Sequence, residues 1–508
     1  MTEKKSRPNI LFITADQQRG DCYGFRGRGV YTPHLDILAS EGTSLENVIT
    51  PCVVCQPARA SILTGLLPRT HGVHDNGIDL DPELGEKGFA ASLSASGYKT
   101  AKIGKAHFST YHVFEESDRP ESITGSAEVP AGWRGPYMGF DHAELILIGH
   151  NWWLPEKPPR GLAYEEWYYG DGRGELKNKL LWESHREHNG APQVWSSKLP
   201  VAWHNSTWIA DRTIDYLKQD HDEPFCMWVS FPDPHHPFDA PEPWASLHRP
   251  EEVDLPEHRR RNFEGRPWWH KAAVESEIPS EHKEIRERYS RMPEVSDEHL
   301  REIIANTYGQ ISLIDHSVGR ILAELHAQGL ADNTYVVYTA DHGDWMGDHG
   351  LVLKGPMPFE GLLNVGAIVK GPDVPVGKVC HEPLSTLDLG ATFMDWAGAE
   401  SLMDIHGRSA RGVISGDETR AAAMSEWELL PGRVGVGLSL RTVRSKTAKL
   451  TMDLKSGAGE MYDLEKDPHE LHNVFDDASY ADLQSELKDI LMSRPDDIQP
   501  NRIPVGMA

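Results

Sequence analysis

The sequence predicts an α/β fold in which helices cover both faces of a large, mixed but mainly parallel β-sheet, followed by a smaller α+β subdomain. Short apolar runs rich in Val, Ile and aromatic residues lie at 9–15, 225–231 and 334–340, as is typical of buried parallel strands. Amphipathic helical patterns lie between these runs, at 207–218 and 303–328. Strands that alternate with helices imply a parallel sheet covered on both faces.

All three predicted strands end in polar residues that can bind a ligand. The first run stops at Asp16-Gln17, the second at the segment 232–237, which contains two histidines, and the third at Asp341-His342. Ligands bind parallel sheets beyond the carboxyl ends of the strands. We therefore expect the functional site at this edge of the sheet.

Two helix ends carry clear signals. The helix at 303–328 is closed by Gly329 as a C-cap. A second helix is expected to begin at Cys55, because Pro57 suits the first helical turn.

The remaining segments differ in character. From about residue 416, patterns typical of antiparallel strands and a closing helix at 480–493 predict a C-terminal subdomain, so we divide the chain into a catalytic domain of 1–415 and a subdomain of 416–508. Residues 110–200 and 240–300 are rich in Trp, Pro and charge and lack periodicity. We interpret them as insertions that frame a pocket, with irregular surface packing as the alternative.

Composition excludes several classes of protein. Of 508 residues, 39% are hydrophobic and 25% charged, which excludes wholesale disorder. The net charge of −26 argues against a nucleic-acid partner, and no apolar stretch is long enough for a membrane span. Near the N-terminus the uninterrupted apolar residues are only 10–13, too few for the apolar region of a secretory signal, and the five cysteines form no disulfide framework, so we expect a cytoplasmic protein. The polar tail after Arg494 favours attachment to a neighbouring subunit in a dimer or tetramer.

The most specific segment is Cys55-Gln-Pro-Ala-Arg59. At a helix N-terminus the dipole favours negative charge, either on residue 55 or on an anionic substrate beside it. Arg59, one turn further on, could point at the same place. Three alternatives remain open for this cysteine. Cys52 and Cys55 could form a redox pair or half of a zinc site, or Cys55 could be a buried, inert cysteine.

This segment resembles the signature of the type I sulfatases, a family of the alkaline phosphatase superfamily. The match comprises Cys55, Pro57 and Arg59 with Thr64-Gly65 downstream. Further blocks resemble the family in the same order along the chain: Pro8 to Asp16, Gly97 to His107, Ser230 to Pro237, Asp341 to Lys354, and Met461 to Pro468. The resemblance implies an alkaline-phosphatase-like fold and hydrolysis of sulfate monoesters such as aryl sulfates. It also implies that a maturing enzyme oxidises Cys55 to formylglycine, whose hydrated aldehyde is the nucleophile.

A divalent metal site is predicted from Asp16 and Asp341, which supply hard oxygen ligands at two strand ends. A single such Asp more often caps a helix. By the resemblance, Gln17, His342 and the oxidised residue at Cys55 complete the site. Gln17 stands where the family often has a second Asp, and His342 where it often has Asn. The imidazole admits manganese beside calcium.

A positive lining for a sulfate is predicted from Arg59, Lys105, His107, His235 and Lys354. The resemblance implies that Arg59, Lys105 and Lys354 stabilise charge on the sulfate oxygens. His235, assisted by Lys354, would protonate the leaving group. His107 would then take the proton of the second hydroxyl of the hydrated aldehyde, which expels sulfate and restores the aldehyde. Taken singly, each lysine or histidine has an ordinary structural role as its alternative.

Two further residues are candidate substrate contacts. His236 is held in reserve for His235, its neighbour in the same loop. Asn76 is a candidate substrate amide, although Asn76-Gly77 is also a turn signal.

The rival function is a phosphonate monoester or phosphodiester hydrolase on the same scaffold. That branch resembles this chain in Asp16-Gln17, in Asp341-His342 and in the position of Asn76. It typically lacks the Lys-x-His pair, which is intact here at residues 105 and 107, so we favour sulfate. A non-catalytic protein that kept the scaffold is the other alternative, and it predicts an unmodified thiol and no metal.

Overall fold

The computed structural model describes residues 7–147, 162–187, 189–279, 283, 284, 286, 291 and 293–507. The predicted pocket-framing insertions at 110–200 and 240–300 include Trp152-Trp153 and a charged run at 281–291. Both tryptophans and most of that second segment lie outside the described residues.

The strands of the described residues form four sheets. The strands are β1 Asn9–Ala15, β2 Thr43–Leu45, β3 Val48–Ile49, β4 Lys99–Lys105, β5 His112–Val113, β6 His142–Ile146, β7 Phe225–Ser230, β8 Thr334–Ala340, β9 Ala367–Lys370, β10 Lys378–Cys380, β11 Leu384–Ser385, β12 Ala422–Leu429, β13 Leu438–Ser445, β14 Ala448–Asp453, β15 Gly459–Asp463 and β16 Gly506–Met507. The largest sheet has eight strands in the order β10-β2-β9-β8-β1-β7-β4-β6. Only β9 runs antiparallel to its neighbours in it, β2 and β8.

Helices connect the strands. The α-helices are Pro33–Ser40, Cys55–Thr64, Pro68–His71, Pro82–Gly85, Phe89–Ala95, Ile123–Glu128, Ala163–Gly170, Gly174–Trp182, Asn205–Leu217, Trp244–Leu247, Trp268–Glu275, Asp297–Ala327, Glu360–Leu363, Asp388–Ala397, Arg411–Ser415, Pro431–Val434 and Ala481–Met492. Short 3₁₀ helices are Gly24–Arg26, Val201–Trp203, Pro250–Glu252, Ala331–Asn333, Asp348–Gly350 and Ala478–Tyr480. Each helix among the described residues is too short or too polar to span a bilayer.

The three strands predicted from apolar runs are all present, and two of them have the predicted bounds. The helix predicted at 303–328 begins earlier, at Asp297, because Ser296 caps it by accepting a hydrogen bond from the His299 backbone N–H. Gly329 follows that helix with φ +70°, as expected of a residue beyond a helix end.

Helices cover both faces of the eight-stranded sheet, which confirms the predicted fold class. On one face, Phe12 of β1 packs against Trp228 and against Phe393 of the Asp388–Ala397 helix, with ring centroids 5.1 Å apart in both pairs. On the other face, the helices Asn205–Leu217 and Asp297–Ala327 bury apolar side chains in the same core. Burial of one large apolar side chain contributes about 1.5–3 kcal/mol, so this core stabilises the strands that carry the site.

The C-terminal part forms an antiparallel sheet of β12 to β15, and the helix Ala481–Met492 packs on it through Leu487 and Leu491. Trp427 and Tyr462 of this sheet share a second apolar cluster with Val54, the residue before Cys55. The small sheet therefore supports the loop that leads into the candidate site. The division of the chain at residue 415 stays a prediction.

The C-terminal tail lies on its own chain. Strand β16 pairs with β5, and the backbone N–H of Val505 donates to the carbonyl of Gly77 at 2.7 Å. The sequence favoured a latch onto a neighbouring subunit, whereas here the tail pairs with an edge strand of the same chain. The oligomeric state stays a prediction.

Candidate active site

The register of four neighbouring strands assembles the candidate site. Ala15 of β1 pairs with Ala340 of β8, so Asp16 and Asp341 follow side by side at the carboxyl edge of the sheet. On the other side of β1, Thr14 pairs with Ser230 of β7, and the loop after that strand carries His235. The next strand, β4, ends at Lys105.

Gly104 shapes the end of β4. Its φ is +95°, and a side chain there would meet the carbonyl of Ser230 at 2.1 Å. Because only glycine fits this conformation and this close approach, the two strands meet tightly and Lys105 turns into the site.

Cys55 begins the helix Cys55–Thr64, as the sequence predicted, and its side chain is buried. Asn76 holds the start of this helix, since its Oδ1 accepts a hydrogen bond from the Gln56 backbone N–H at 3.0 Å. Asn76 was predicted as a substrate amide, and the structure gives its side-chain oxygen a helix-capping contact instead. A role for its amide nitrogen towards a substrate stays a prediction.

Four predicted ligands meet in one buried cluster. Asp16, Cys55, Asp341 and His342 each offer a ligand atom, and these atoms all lie within 4.8 Å of one another. The Cys55 Sγ lies 3.0 Å from His342 Nε2 and 3.7 Å from Asp16 Oδ1. Ligands on opposite sides of a divalent ion are separated by twice a bond length of about 2.0–2.6 Å. The donor set and its spacing therefore fit a divalent cation.

Gln17 adjoins this cluster with one free acceptor. Its Nε2 donates to Asp344 Oδ2 at 2.6 Å and its backbone N–H donates to Asp341 Oδ1 at 3.1 Å. The buried Oε1 has no hydrogen-bond partner among the described residues. A buried, unpaired carbonyl oxygen costs free energy, and a cation would satisfy it.

His342 is oriented as a ligand. Its Nδ1 lies 2.8 Å from the carbonyl oxygen of Gly343, which can only accept, so Nδ1 carries the proton. Lys354 Nζ, which can only donate, lies 3.2 Å from Nε2, so Nε2 presents its lone pair on the side of the cluster. A ring nitrogen held by a backbone carbonyl is the usual support of a metal-binding histidine.

Arg59 is fully buried and connects the two carboxylates. Its Nε donates to Asp341 Oδ2 at 2.7 Å and its Nη2 to Asp16 Oδ2 at 3.2 Å, while its Nη1 donates to Ser230 Oγ. Ser230 was not among the predicted site residues, because a serine at the end of a strand carries no signal of its own. Arg59 was expected to stabilise charge on a substrate, and in this structure its hydrogen bonds go to protein groups.

Replacing Arg59 by Met is expected to lower the free energy of unfolding by about 3–5 kcal/mol, because two buried carboxylates lose a partner. Urea denaturation of chelator-treated protein measures this. Arg411→Met is the control, since Arg411 pairs with Asp373 at the surface with half its side chain exposed, and an exposed pair contributes about 1 kcal/mol or less. Equal shifts of the urea midpoint in both variants would contradict the assignment.

Two lysines flank Cys55 and Asp16. Lys354 Nζ donates to Cys55 Sγ at 2.9 Å, and Lys105 Nζ lies 2.5 Å from Asp16 Oδ2. Burial alone would raise the pKa of the Cys55 thiol, but Lys354, His342 and Lys105 lower it well below its ordinary value. The site therefore favours negative charge at position 55, inside a protein of net charge −26.

The predicted histidines lie around the same atom. His107 and His235 both lie near enough to Cys55 for their rings to interact with it. Burial above all, and then Lys105, lowers the pKa of His107 to about 4, so this ring is neutral at pH 7. His235 places its Nδ1 2.6 Å from the carbonyl of His236, and the two imidazoles stack with centroids 3.9 Å apart. His236 thus packs against the predicted acid.

Asp344 and His349 lie in the loop after β8 and make contacts that order it. Asp344 accepts hydrogen bonds from Gln17 and from two backbone N–H groups, those of Met346 and Leu353. His349 stacks on Phe359 with ring centroids 3.8 Å apart. These contacts hold the backbone and the side chains of the loop in place.

Comparison with known proteins gives matches over nearly the whole chain. The family model described as Sulfatase matches residues 8–399, and the one described as N-sulphoglucosamine sulphohydrolase, C-terminal, matches residues 347–496.

Two curated relatives extend the match. The chain is 28% identical to an arylsulfatase from Clostridium perfringens, over 96% of this chain and 94% of the relative. It is 26% identical to the multifunctional alkaline phosphatase superfamily protein PehA from Trinickia caryophylli, over 94% and 93%.

A solved structure, the phosphonate monoester hydrolase of Agrobacterium radiobacter, superposes with a TM-score of 0.77. It is 26% identical to this chain, and the match covers 96% of this chain and 95% of that one.

Proposed function

This chain belongs to the sulfatase family, within the alkaline phosphatase superfamily, and hydrolyses sulfate esters; we propose that it does so with a formylglycine at position 55 and one divalent cation. The observation that carries the proposal is the buried position of Cys55 at a helix N-terminus, among two carboxylates, His342 and two lysines.

The residues at the site fit both groups. Asp16, Gln17, Asp341, His342 and the modified residue 55 would hold the cation. A bound divalent cation lowers the pKa of an oxygen bound to it and neutralises charge on the substrate. An aldehyde at position 55 supplies, as its hydrate, an oxygen nucleophile that a thiol does not. The mixed oxygen and nitrogen donors admit calcium or manganese.

The lysines bind and orient the sulfate group in this proposal. Lys354 contacts Cys55 and Lys105 contacts the neighbouring Asp16, so both cations lie where they attract the nonbridging oxygens of a sulfate bound at position 55. Charge-assisted hydrogen bonds in a site closed to water are stronger than neutral ones.

In this proposal His107 and His235 carry out different proton transfers. His107 is neutral because its pKa is about 4, so its ring can accept a proton from residue 55. His235 has its pKa lowered by burial and by Lys354. An anionic sulfate bound beside it raises that pKa again, and the ring, fixed by the carbonyl of His236, can then protonate the leaving oxygen.

Maturation would precede folding. Cys55 is 1% exposed, so a formylglycine-generating enzyme could reach it only in the unfolded chain. Mass spectrometry of the peptide around Cys55 tests the proposal, because conversion of the thiol to an aldehyde lowers the peptide mass. The protein must come from a host that has the maturing enzyme. An unmodified thiol in fully active protein would contradict the proposal.

We propose aryl sulfates as substrates and expect kcat/KM for an aryl sulfate to exceed that for the matching aryl phosphonate by at least about 10-fold. A sulfate group offers three nonbridging oxygens to the lysines and histidines, whereas a phosphonate monoester replaces one of them by carbon. A donor left unpaired in a buried site costs about 1–3 kcal/mol, which corresponds to about 10- to 100-fold in rate.

Phosphonate monoesters are the second candidate, supported by the TM-score of 0.77 to a phosphonate monoester hydrolase. Side-by-side kinetics on the two esters with the same leaving group decide between them. A preference for phosphonate by several orders of magnitude would reverse the order of the two candidates.

A further inference from the structure

A buried carboxylate, Glu121, lies under the loop that follows β4. Glu121 is 1% exposed. Its Oε2 accepts a hydrogen bond from the backbone N–H of His107. Its Oε1 accepts three more, from the N–H groups of Phe108 at 3.0 Å and Ser109 at 3.2 Å and from the Tyr137 hydroxyl at 2.6 Å. One side chain thus binds three successive backbone N–H groups of this loop.

This loop is strained where the carboxylate holds it. His107 has φ +58°, in the left-handed region, which costs a residue with a side chain about 1–3 kcal/mol unless the surroundings hold it there. The hydrogen bonds to Glu121 supply that constraint, because they fix the amide planes on both sides of the His107 α-carbon. Both ring nitrogens of His107 are buried without a hydrogen-bond partner among the described residues, and the ring lies near enough to Cys55 for the two groups to interact, so the backbone conformation at residue 107 decides where this ring stands beside position 55.

Burial of a carboxyl group is costly, and burial raises the pKa of Glu121 while the Tyr137 hydroxyl and the three amides oppose that rise. If the loop only had to be ordered, a neutral side chain that accepts hydrogen bonds from its amides would be enough. Here the two oxygens have separate tasks, since Oε2 serves His107 alone and Oε1 serves the other three donors.

We propose that Glu121 is a positioning residue of the active site, which holds the His107 backbone in the conformation that turns its ring to position 55. The inference rests on the proposed function, because the proton transfer assigned to His107 belongs to it. Among the described residues, the hydrogen bonds of Glu121 go to the loop backbone and to Tyr137 rather than to Cys55 or the predicted metal ligands, so it acts through His107.

Glu121→Gln separates the two tasks. In this variant the amide oxygen can take the place of Oε1 and accept the same three hydrogen bonds. The amide nitrogen then takes the place of Oε2 and, being a donor, cannot accept the hydrogen bond from the His107 N–H. We expect kcat/KM for an aryl sulfate to fall by about 10- to 100-fold, part of the 100- to 10,000-fold that a general base contributes. Tyr137→Phe is the matched control, since it removes one hydroxyl from Oε1 and leaves the His107 contact; its kcat/KM should fall by less than about 3-fold.

Two readouts distinguish positioning from general stabilisation. Amide hydrogen exchange of the 106–110 segment should accelerate by about 10-fold or more in Glu121→Gln and much less in Tyr137→Phe. In a double-mutant cycle, Glu121→Gln should change kcat/KM by less than about 3-fold when His107 is already Ala, because the interaction it removes is then absent.

Equal losses from Glu121→Gln in both backgrounds, or unchanged exchange at 106–110, would overturn the proposal. Glu121→Asp keeps both oxygens and is expected to fall between wild type and Glu121→Gln in both readouts; it replaces the glutamine variant if that variant does not fold. If wild type hydrolyses no sulfate ester, the proposed function fails, and hydrogen exchange alone decides whether Glu121 holds the loop.

Discussion

Replacement of Cys55 by Ala is expected to lower kcat/KM for an aryl sulfate by at least about 10,000-fold, because removal of a catalytic nucleophile has effects of this size or larger. The side chain is buried, with Lys354 Nζ at 2.9 Å and His342 Nε2 at 3.0 Å. Oxidation of this side chain would place the nucleophilic oxygen at position 55, and an alanine there has no group that could replace it. Steady-state kinetics with an aryl sulfate measure the loss.

Cys55→Ser should differ from Cys55→Ala in its time course. A serine hydroxyl is an oxygen nucleophile, but it lacks the second hydroxyl from which His107 would take a proton to expel sulfate. We therefore expect about one equivalent of phenol per site, followed by arrest of turnover. Rapid-mixing measurement of released phenol detects this burst.

Cys52→Ala is the matched control for both variants. Cys52 is as buried as Cys55 and lies three residues before it, yet it is not among the residues that cluster around Asp16. Its substitution should leave kcat/KM within about 3-fold, in the range of a tolerated core change. Comparable losses from Cys52→Ala and Cys55→Ala would favour the redox pair, and wild-type turnover in Cys55→Ala would refute the nucleophile assignment.

Replacement of Asp341 by Asn is expected to weaken metal binding by at least about 100-fold, because even residues that only orient a metal ligand contribute 10- to 100-fold. Asp341 supplies one of two carboxylates to the cluster and also accepts from Gln17 and Arg59. Its amide would carry no charge and would present a donor where the cation needs an acceptor. Metal content per chain after dialysis, by elemental analysis, measures the effect, and sulfate hydrolysis should fall with it.

Asp315→Asn controls for the loss of a buried carboxyl group. Asp315 lies on the Asp297–Ala327 helix and accepts hydrogen bonds from the backbone N–H groups of His34 and Leu35. Burial raises its pKa to about 7, so the native protein already holds this group partly neutral at pH 7. Its metal content should equal that of wild type. A full metal complement in Asp341→Asn would show that the cation, if bound, lies elsewhere.

The agreement between sequence and structure has a physical reason at the strands. β1 and β8 are continuous apolar runs, because both of their faces are buried, and a polar residue marks where each one leaves the core. Asp16 and Asp341 could therefore be predicted as neighbours, since the sheet is parallel and its carboxyl ends share one edge. The location in the cell and the number of subunits stay predictions, because neither leaves such a pattern.

The contacts of single side chains could not be predicted in this way. Arg59 was placed near the substrate from its position in the motif, but which partners a guanidinium meets depends on rotamers and on residues far apart in sequence. Asn76 similarly reads as a turn signal or as a substrate contact until the Gln56 backbone is seen beside it. Glu121 lies in a segment without periodicity, and nothing in its neighbours distinguishes it from a solvated acid.

The sequence by itself determined the fold class and the membership of a family, and it predicts Cys55 as the source of the nucleophile, because the hydrophobic periodicity and short motifs are local properties of the chain. Only the tertiary structure decided how charge is arranged around Cys55, which carboxylates share Arg59, and that a buried glutamate holds the loop of His107. These are contacts between residues tens to hundreds of positions apart. Their geometry is fixed by the packing of strands and helices, to which each residue contributes little alone.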